Sequence, residues 1–252
     1  MVNYDCDSRI KTLFWSGVEL IKNNFAKQPE EFLALKDKFK GQKCFIVATG
    51  PSLTLDDLEL IKGQYSFGVN SIINSFDKTS WRPNFYVVSD IDAYKNYGKQ
   101  VEREAAFEHV FYPVWMDNDA RNTHYVNNKA QFHFANVTER YRRRIYPSKK
   151  LEKYVVDAPS VVFTVIQIAM FLGFKTIYLL DQDCNYKGAK QHSEIADLGT
   201  VVFNDHSTGD RMIDVFYNYA EALKDSDVKI YNCTRGGMLE AFKRVPLEEA
   251  IK

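Results

Sequence analysis

Lys43-Cys44-Phe45-Ile46-Val47-Ala48-Thr49, followed by Gly50-Pro51-Ser52-Leu53, is the stretch that decides the fold. A short apolar run ends at Gly50-Pro51-Ser52, and beyond it Leu55, Leu58, Leu60 and Ile61 recur at helical spacing, so the chain reads strand, turn, helix. Comparable short runs lie at Tyr65–Asn70, Asn84–Ser89, His109–Val114, Gln131–Ala135, Thr176–Asp181 and Val228–Cys233. Separated mostly by helical patterns, they predict an α/β fold: a mostly parallel sheet with helices on both faces.

Working outward, Leu13, Phe14, Val18, Leu20, Ile21 and Phe25 give residues 11–25 a helical pattern, and Pro29-Glu30-Glu31 opens a second helical run through Phe39. Residues 1–40 are therefore expected to form an N-terminal helical extension. Two segments break the strand-helix rhythm and are expected as insertions, at about 115–157 and 184–209. The first holds the basic cluster Arg140, Arg142, Arg143, Arg144, Lys149, Lys150 and Lys153; the second is polar and long enough to act as a lid.

Composition bounds the partners. Thirty-three basic and thirty-three acidic residues among 252 cancel, so no overall field draws the chain to nucleic acid. The longest apolar run, Val161 to Phe174, is interrupted by Thr164, Gln167 and Gly173 and falls short of the roughly 20 residues of a membrane span. Met1-Val2-Asn3-Tyr4-Asp5 lacks the pattern of a signal peptide, and Cys6, Cys44, Cys184 and Cys233 lack metal spacing. The expectation is a reduced, cytoplasmic protein with neither disulfides nor zinc.

In a parallel sheet, ligands bind beyond the carboxyl ends of the strands, so the residues there are the candidates. Thr49-Gly50-Pro51-Ser52-Leu53 offers close backbone approach, a hydroxyl and amides at a helix start, an arrangement suited to phosphate; an ordinary turn capped by Ser52 or Thr54 is the plainer alternative. The second and third strands end at Asn70 and at Ser89-Asp90. A helix from Pro159 to Leu172 is announced by Asp157-Ala158-Pro159-Ser160, with proline in its first turn. Asp181-Gln182-Asp183 sets two acids at the next strand end, able to bind a metal, orient a sugar hydroxyl or act as a base, or else simply an acidic turn. His206, in Asn204-Asp205-His206-Ser207-Thr208-Gly209-Asp210, precedes a helix, and an unperturbed histidine, with a pKa of about 6.5, suits a general base; a surface or capping role competes.

Three blocks carry a resemblance: Ala48-Thr49-Gly50-Pro51-Ser52-Leu53; Ser160 through Leu172-Gly173-Phe174-Lys175-Thr176-Ile177-Tyr178-Leu179 to Asp183; and His206-Ser207-Thr208-Gly209-Asp210 with Val228-Lys229-Ile230-Tyr231-Asn232-Cys233. Over about residues 41–250 the chain resembles the Rossmann-like superfamily of the bacterial sialyltransferases of glycosyltransferase family 42 and the 6-hydroxymethylpterin pyrophosphokinase MptE-like domain. The resemblance implies a Rossmann-like catalytic domain over residues 41–252. It maps CMP contacts onto Gly50, Ser52 and Asn70, a helix-start contact onto Ser160 and the general base onto His206. The sialyltransferase asparagine before Gly-Pro-Ser is Thr49 here, and their Asp-Phe-Tyr is Asp183-Cys184-Asn185-Tyr186, so the tyrosine that meets the leaving phosphate is either Tyr186, displaced by one residue, or absent. Ser89-Asp90 looks more like the pterin-kinase branch.

These features imply a cytoplasmic glycosyltransferase of bacterial surface glycans, using a nucleotide sugar, CMP-nonulosonate first, and a glycan acceptor. His206, Tyr186 and Asp183 are its expected catalytic residues; Thr49, Gly50, Ser52, Leu53, Asn70, Ser89, Asp90, Ser160 and Asp181 are expected around the donor. The scheme requires no metal. The region Arg140–Lys153 is a candidate for peripheral contact with the inner face of the membrane, with a solvated loop face as the alternative, and an oligomer is compatible with the sequence. The alternative enzyme is an ATP- and magnesium-dependent pyrophosphokinase with Asp90, Asp181 and Asp183 on the metal. A third class is a non-catalytic protein that binds nucleotide or glycan in an assembly.

Overall fold

A computed structural model describes residues 26–114, 116, 131–134, 136–138, 144–185, 193–196 and 207–252. The elements run α1 (Glu30–Leu33), β1 (Lys43–Val47), α2 (Leu55–Leu60), β2 (Ser66–Val69), a 3-10 helix (Asn70–Ser75), β3 (Phe85–Val87), α3 (Ile91–Arg103), β4 (His109–Pro113) and β5 (Gln131–Phe134). They continue with β6 (Asn136–Thr138), β7 (Val155–Asp157), α4 (Val161–Phe171), β8 (Thr176–Leu180), α5 (Ser207–Leu223), β9 (Lys229–Asn232) and α6 (Leu247–Ala250).

Seven strands form one sheet in the order β5-β4-β3-β2-β1-β8-β9, and every neighbouring pair is parallel. The predicted Rossmann-like α/β architecture is therefore the observed one. The alternation of side chains along β1 accounts for its two covered faces. Cys44 and Ile46 join a core with α1, α4 and α5, including Phe32, Phe163 and Phe216. Phe45 and Val47 join a second core with α2, α3 and α6, including Leu58, Tyr94 and Leu247. The expected insertion at 115–157 contributes the edge strand β5 and, with β6 and β7, a separate two-stranded parallel ribbon.

Two local expectations are corrected. The helix predicted from Pro29 through Phe39 closes after one turn at Leu33. Asp37 adopts φ 56°, and the N–H groups of Asp37, Phe39 and Gly41 turn to the carbonyls of Phe171, Leu172 and Gly173 at 3.0, 2.8 and 3.1 Å. The segment thus caps the carboxyl end of α4, whose last carbonyls have no partners within the helix, while Phe32, Leu35 and Phe39 still enter the core. Pro159 lies outside α4, because Ser160 is its N-cap, with the hydroxyl accepting from Val162 N–H at 3.3 Å.

α4 is apolar on all sides and buried along nearly its whole length, as its central position requires. Its one polar hub is Gln167, fully buried. The Gln167 Oε1 accepts from Ser148 N–H and Val156 N–H at 2.9 and 3.0 Å, and Nε2 donates to the Val156 carbonyl and the Tyr219 hydroxyl at 2.8 Å each. One side chain so ties α4 to β7 and α5. Among the described residues no helix is long and apolar enough to cross a membrane.

Gln167→Leu keeps the volume but strands two buried N–H groups and a carbonyl, so it should destabilise the fold by about 2–4 kcal/mol. A urea midpoint equal to wild type would show that the hub is dispensable.

Candidate functional site

The chain leaves β1 toward β2 and leaves β8 toward β9, on opposite sides, so the boundary between β1 and β8 is the topological switch point where a crevice opens in such sheets. Two loops meet there. Past the ladder, Ala48 N–H donates to the Leu180 carbonyl at 3.0 Å, and Gly50 N–H to the Asp181 carbonyl at 3.0 Å. This approach requires glycine: a Cβ on residue 50 would stand 2.0 Å from Asp183 Oδ2 and 2.2 Å from the Asp181 carbonyl oxygen. Across that gap Ser52 Oγ lies 2.8 Å from Asp181 Oδ1 and 2.8 Å from Asp183 Oδ2, and Ser52 N–H donates to Asp183 Oδ2 at 3.3 Å.

The backbone is bent to make this cluster. Asp181 and Cys184 both occupy the left-handed region, at φ 56° and 53°, as does Asn70 at 48°. Non-glycine residues held so tend to concentrate at functional sites. Burial pushes the Asp181 carboxyl up to about 8, reinforced by Asp57 and Asp183 and opposed by the Ser52 hydrogen bond and Arg235. Burial also raises Asp183, against its bonds from Ser52. The thiols of Cys184 and Cys233 are pushed by burial up to about 11 and about 12, so neither is a ready thiolate nucleophile.

The loop after β9 closes the other side, and sequence reasoning passed over it. Gln182 N–H donates to Thr234 Oγ1 at 2.9 Å, and Met238 N–H to the Asp183 carbonyl at 2.8 Å. Gly237, at φ 69°, leaves no room for a Cβ, which would sit 2.8 Å from Asp183 Cα. Arg235 grips Asp57 with both guanidinium nitrogens, Nη1 to Oδ1 at 2.6 Å and Nη2 to Oδ2. Asp57 is only 2% exposed and also closes a capping box with Thr54 at the start of α2. A groove of about 440 Å3 runs beside this loop, lined by Thr234, Arg235, Arg244 and Glu248 among others. Thr54-x-x-Asp57 and the polar, glycine-rich Thr234-Arg235-Gly236-Gly237 at a strand end were the available signals.

Gly50, Ser52, Asp181 and Asp183 are brought into contact as expected from their strand ends. Asn70 and Ser89-Asp90 end β2 and β3 and share the carboxyl edge. The Asn70 Oδ1 is buried without a partner, while its carbonyl accepts the Tyr86 hydroxyl. Asp90 is spent on capping α3, accepting from Ala93 N–H at 2.7 Å, and Ser160 on capping α4. Thr49 and Leu53 act through their carbonyls, which accept the N–H and the hydroxyl of Ser193 at 2.9 Å each. Residues 193–196, part of the expected lid, are further held by Asn74 and Lys78, which donate to the carbonyls of Ala196 and Ile195. Tyr186 and His206 lie outside the described residues.

The free amides expected from Gly50 to Leu53 are a correction. Gly50 N–H goes to Asp181, Ser52 N–H to Asp183 and Leu53 N–H to the Gly50 carbonyl at 3.2 Å. The turn is an anion-binding shape, but the protein's own carboxylate fills it. The magnesium set does not fit either: Asp90 serves a helix end, and Asp181 and Asp183 converge on a hydroxyl group rather than on a common open point. Among the described residues no group of three or more His, Cys, Asp or Glu is arranged to hold a metal ion.

Gly50→Ala should cost about 3 kcal/mol or more, because the Cβ meets backbone and a packed carboxylate rather than a yielding side-chain tip. Chemical denaturation measures it, and a loss below 1 kcal/mol would mean that the two loops separate freely.

Among curated proteins none matches the chain. Two solved structures are similar. The MAf glycosyltransferase from Magnetospirillum magneticum AMB-1 superposes with a TM-score of 0.55 at 17% identity, over 86% of this chain and 37% of that one, so the chain spans little more than a third of that protein. The sialyltransferase CstII from Campylobacter jejuni, solved with the substrate analogue CMP-3FNeuAc, gives 0.47 at 14% identity, over 82% of this chain and 87% of that one. The first likeness agrees with the fold described above. The 6-hydroxymethylpterin diphosphokinase MptE-like family matches residues 19–189, well over half of the 252, and the chain belongs to that family.

Proposed function

We propose that the chain is a glycosyltransferase that binds a nucleotide-activated sugar at the β1/β8 switch point and transfers the sugar to a glycan acceptor. One observation carries this reading. Asn70 Oδ1, Asp181 Oδ2 and Gln182 Oε1, at the carboxyl ends of β2 and β8, are buried acceptor atoms without a hydrogen-bond partner among the described residues. Each such atom costs about 1–3 kcal/mol, and hydroxyl donors offset that cost. A ribose and a pyranose each carry several hydroxyls; ATP brings the first alone, a nucleotide sugar both. The fold of a MAf glycosyltransferase supports the same reading.

In detail, the donor is a CMP-linked nonulosonate and the acceptor a bacterial surface glycan, reached from the cytoplasmic face with the Arg140–Lys153 region against the membrane. His206 takes the proton of the acceptor hydroxyl and Tyr186 donates to the leaving phosphate. Asp183 and Asp181 hold the β1 turn, and the unpartnered Asp181 Oδ2 accepts from a donor hydroxyl. Phosphate meets the turn only by displacing Asp183 from Ser52, so binding couples to a local rearrangement. The diphosphokinase reading that the family description favours needs magnesium on a triphosphate, and among the described residues the acids lack that arrangement.

Thermal denaturation with CMP, UDP, GDP and ATP, each with EDTA and with magnesium, tests the reading. CMP should stabilise the protein in EDTA. Stabilisation by ATP only with magnesium would transfer the preference to the kinase. Against a CMP-sugar donor, His206→Ala should lower turnover by about a hundredfold or more while leaving CMP affinity unchanged, with His192→Ala as control. Wild-type turnover in His206→Ala would remove that base, and selective binding without any turnover would identify an assembly protein.

A further inference from the structure

We infer that Asp181 and Asp183 share one proton through the Ser52 hydroxyl at neutral pH, with Asp181 as the protonated acid, and that Asp181 is thereby the positioning residue of the β1 turn. The count of hydrogens leads to this. Ser52 Oγ lies 2.8 Å from an oxygen of each carboxyl group, and a serine hydroxyl has one hydrogen. Two ionised carboxylates are acceptors only, so one of these contacts would set lone pair against lone pair. A proton on one carboxyl turns that contact into a hydrogen bond and leaves the serine hydrogen for the other.

The surroundings assign the proton. Asp183 Oδ2 accepts a second bond, from Ser52 N–H. Asp181 is 4% exposed, and among the described residues its Oδ1 bonds to Ser52 alone and its Oδ2 has no hydrogen-bond partner. The chain therefore runs from Asp181 Oδ1–H to Ser52 Oγ, and from Ser52 Oγ–H to Asp183 Oδ2. The other charges around it agree. From α2, the Asp57 carboxyl faces the cluster and acts on Asp181 in the raising direction, and from the β9 loop Arg235 is engaged by both Asp57 oxygens. Cys233 is a neutral thiol beside Asp181, Glu248 acts on Cys233 and Arg235, and Arg244 acts on Asp183. Burial displaces the acid upward to about 8, in the same direction.

The linkage has a definite sign. An acid whose folded pKa is raised from 3.8 to about 8 contributes stability that is fully present below its ordinary value and is lost as pH rises toward about 8. Above that range both carboxylates are charged on one hydroxyl, and the turn loosens.

Carboxyl 13C NMR of protein labelled at aspartate, titrated across neutral pH, tests this directly. One resonance should titrate near 8 and be absent from Asp181→Asn. Thermal midpoints supply the second measurement. Wild type should lose thermal stability between about pH 4 and about pH 8, and because asparagine donates permanently where the acid donates only when protonated, Asp181→Asn should lack that decline. In Asp183→Asn, Asp181 should titrate lower than in wild type, because the serine hydrogen becomes free for it. A set of aspartates that all titrate in the ordinary acidic range would overturn the proposal, as would an Asp181→Asn variant with the wild-type pH slope. Neither measurement uses a nucleotide, so the proposal and the glycosyltransferase reading fail separately.

Discussion

A missing side chain at residue 50 sets the distance between the two halves of this molecule. Because Gly50 has no Cβ, the β1 turn lies directly on the Asp181 carbonyl and the Asp183 carboxylate, and the β1–β8 pair continues past its last ladder bond into the loops. The same contact buries the polar groups of the crevice. Desolvation of two acids follows from it, and so does their need for Ser52.

Three ties then cross the switch point at different depths: backbone to backbone at Gly50, hydroxyl to carboxyl at Ser52, and guanidinium to carboxylate between Arg235 and Asp57. The last differs from a surface ion pair. Asp57 is buried and shared with a helix cap, so the half-exposed Arg235 compensates a charge that has no access to water. The β9 loop is held by this pair on one side and by the Arg244 bonds to the carbonyls of Thr234 and Gly236 on the other. A loop fixed at both ends forms a rigid wall beside the crevice, which suits recognition better than gating.

Much of this was legible in the sequence, for physical reasons. Strands buried on both faces must be short, apolar and bounded by turn residues, and each predicted run became a strand. The parallel arrangement then assigned Gly50, Ser52, Asp181 and Asp183 to one edge before any contact was known. Side-chain partners are another matter, because they depend on distant residues. Asp90 and Ser160 stand before helices, where capping satisfies orphan amides locally and leaves little for a ligand. Nothing near Gly50 in sequence discloses that Asp183 takes the Ser52 amide from 131 residues away. The truncated α1 has the same origin: its residues favour a helix, but the carbonyls at the end of α4 compete for its N–H groups.

The position of β8 in the chain also sets a schedule. β1 pairs with β2 early, yet its other edge waits for Thr176–Leu180 to be synthesised. At about 5–20 residues per second that interval is on the order of ten seconds. Throughout it the nascent polypeptide carries an unpaired parallel edge with Phe45 and Ile46 on opposite faces, a template for intermolecular pairing. The crevice is consequently among the last features to assemble on the ribosome, and truncated translation products end in a sticky half-sheet.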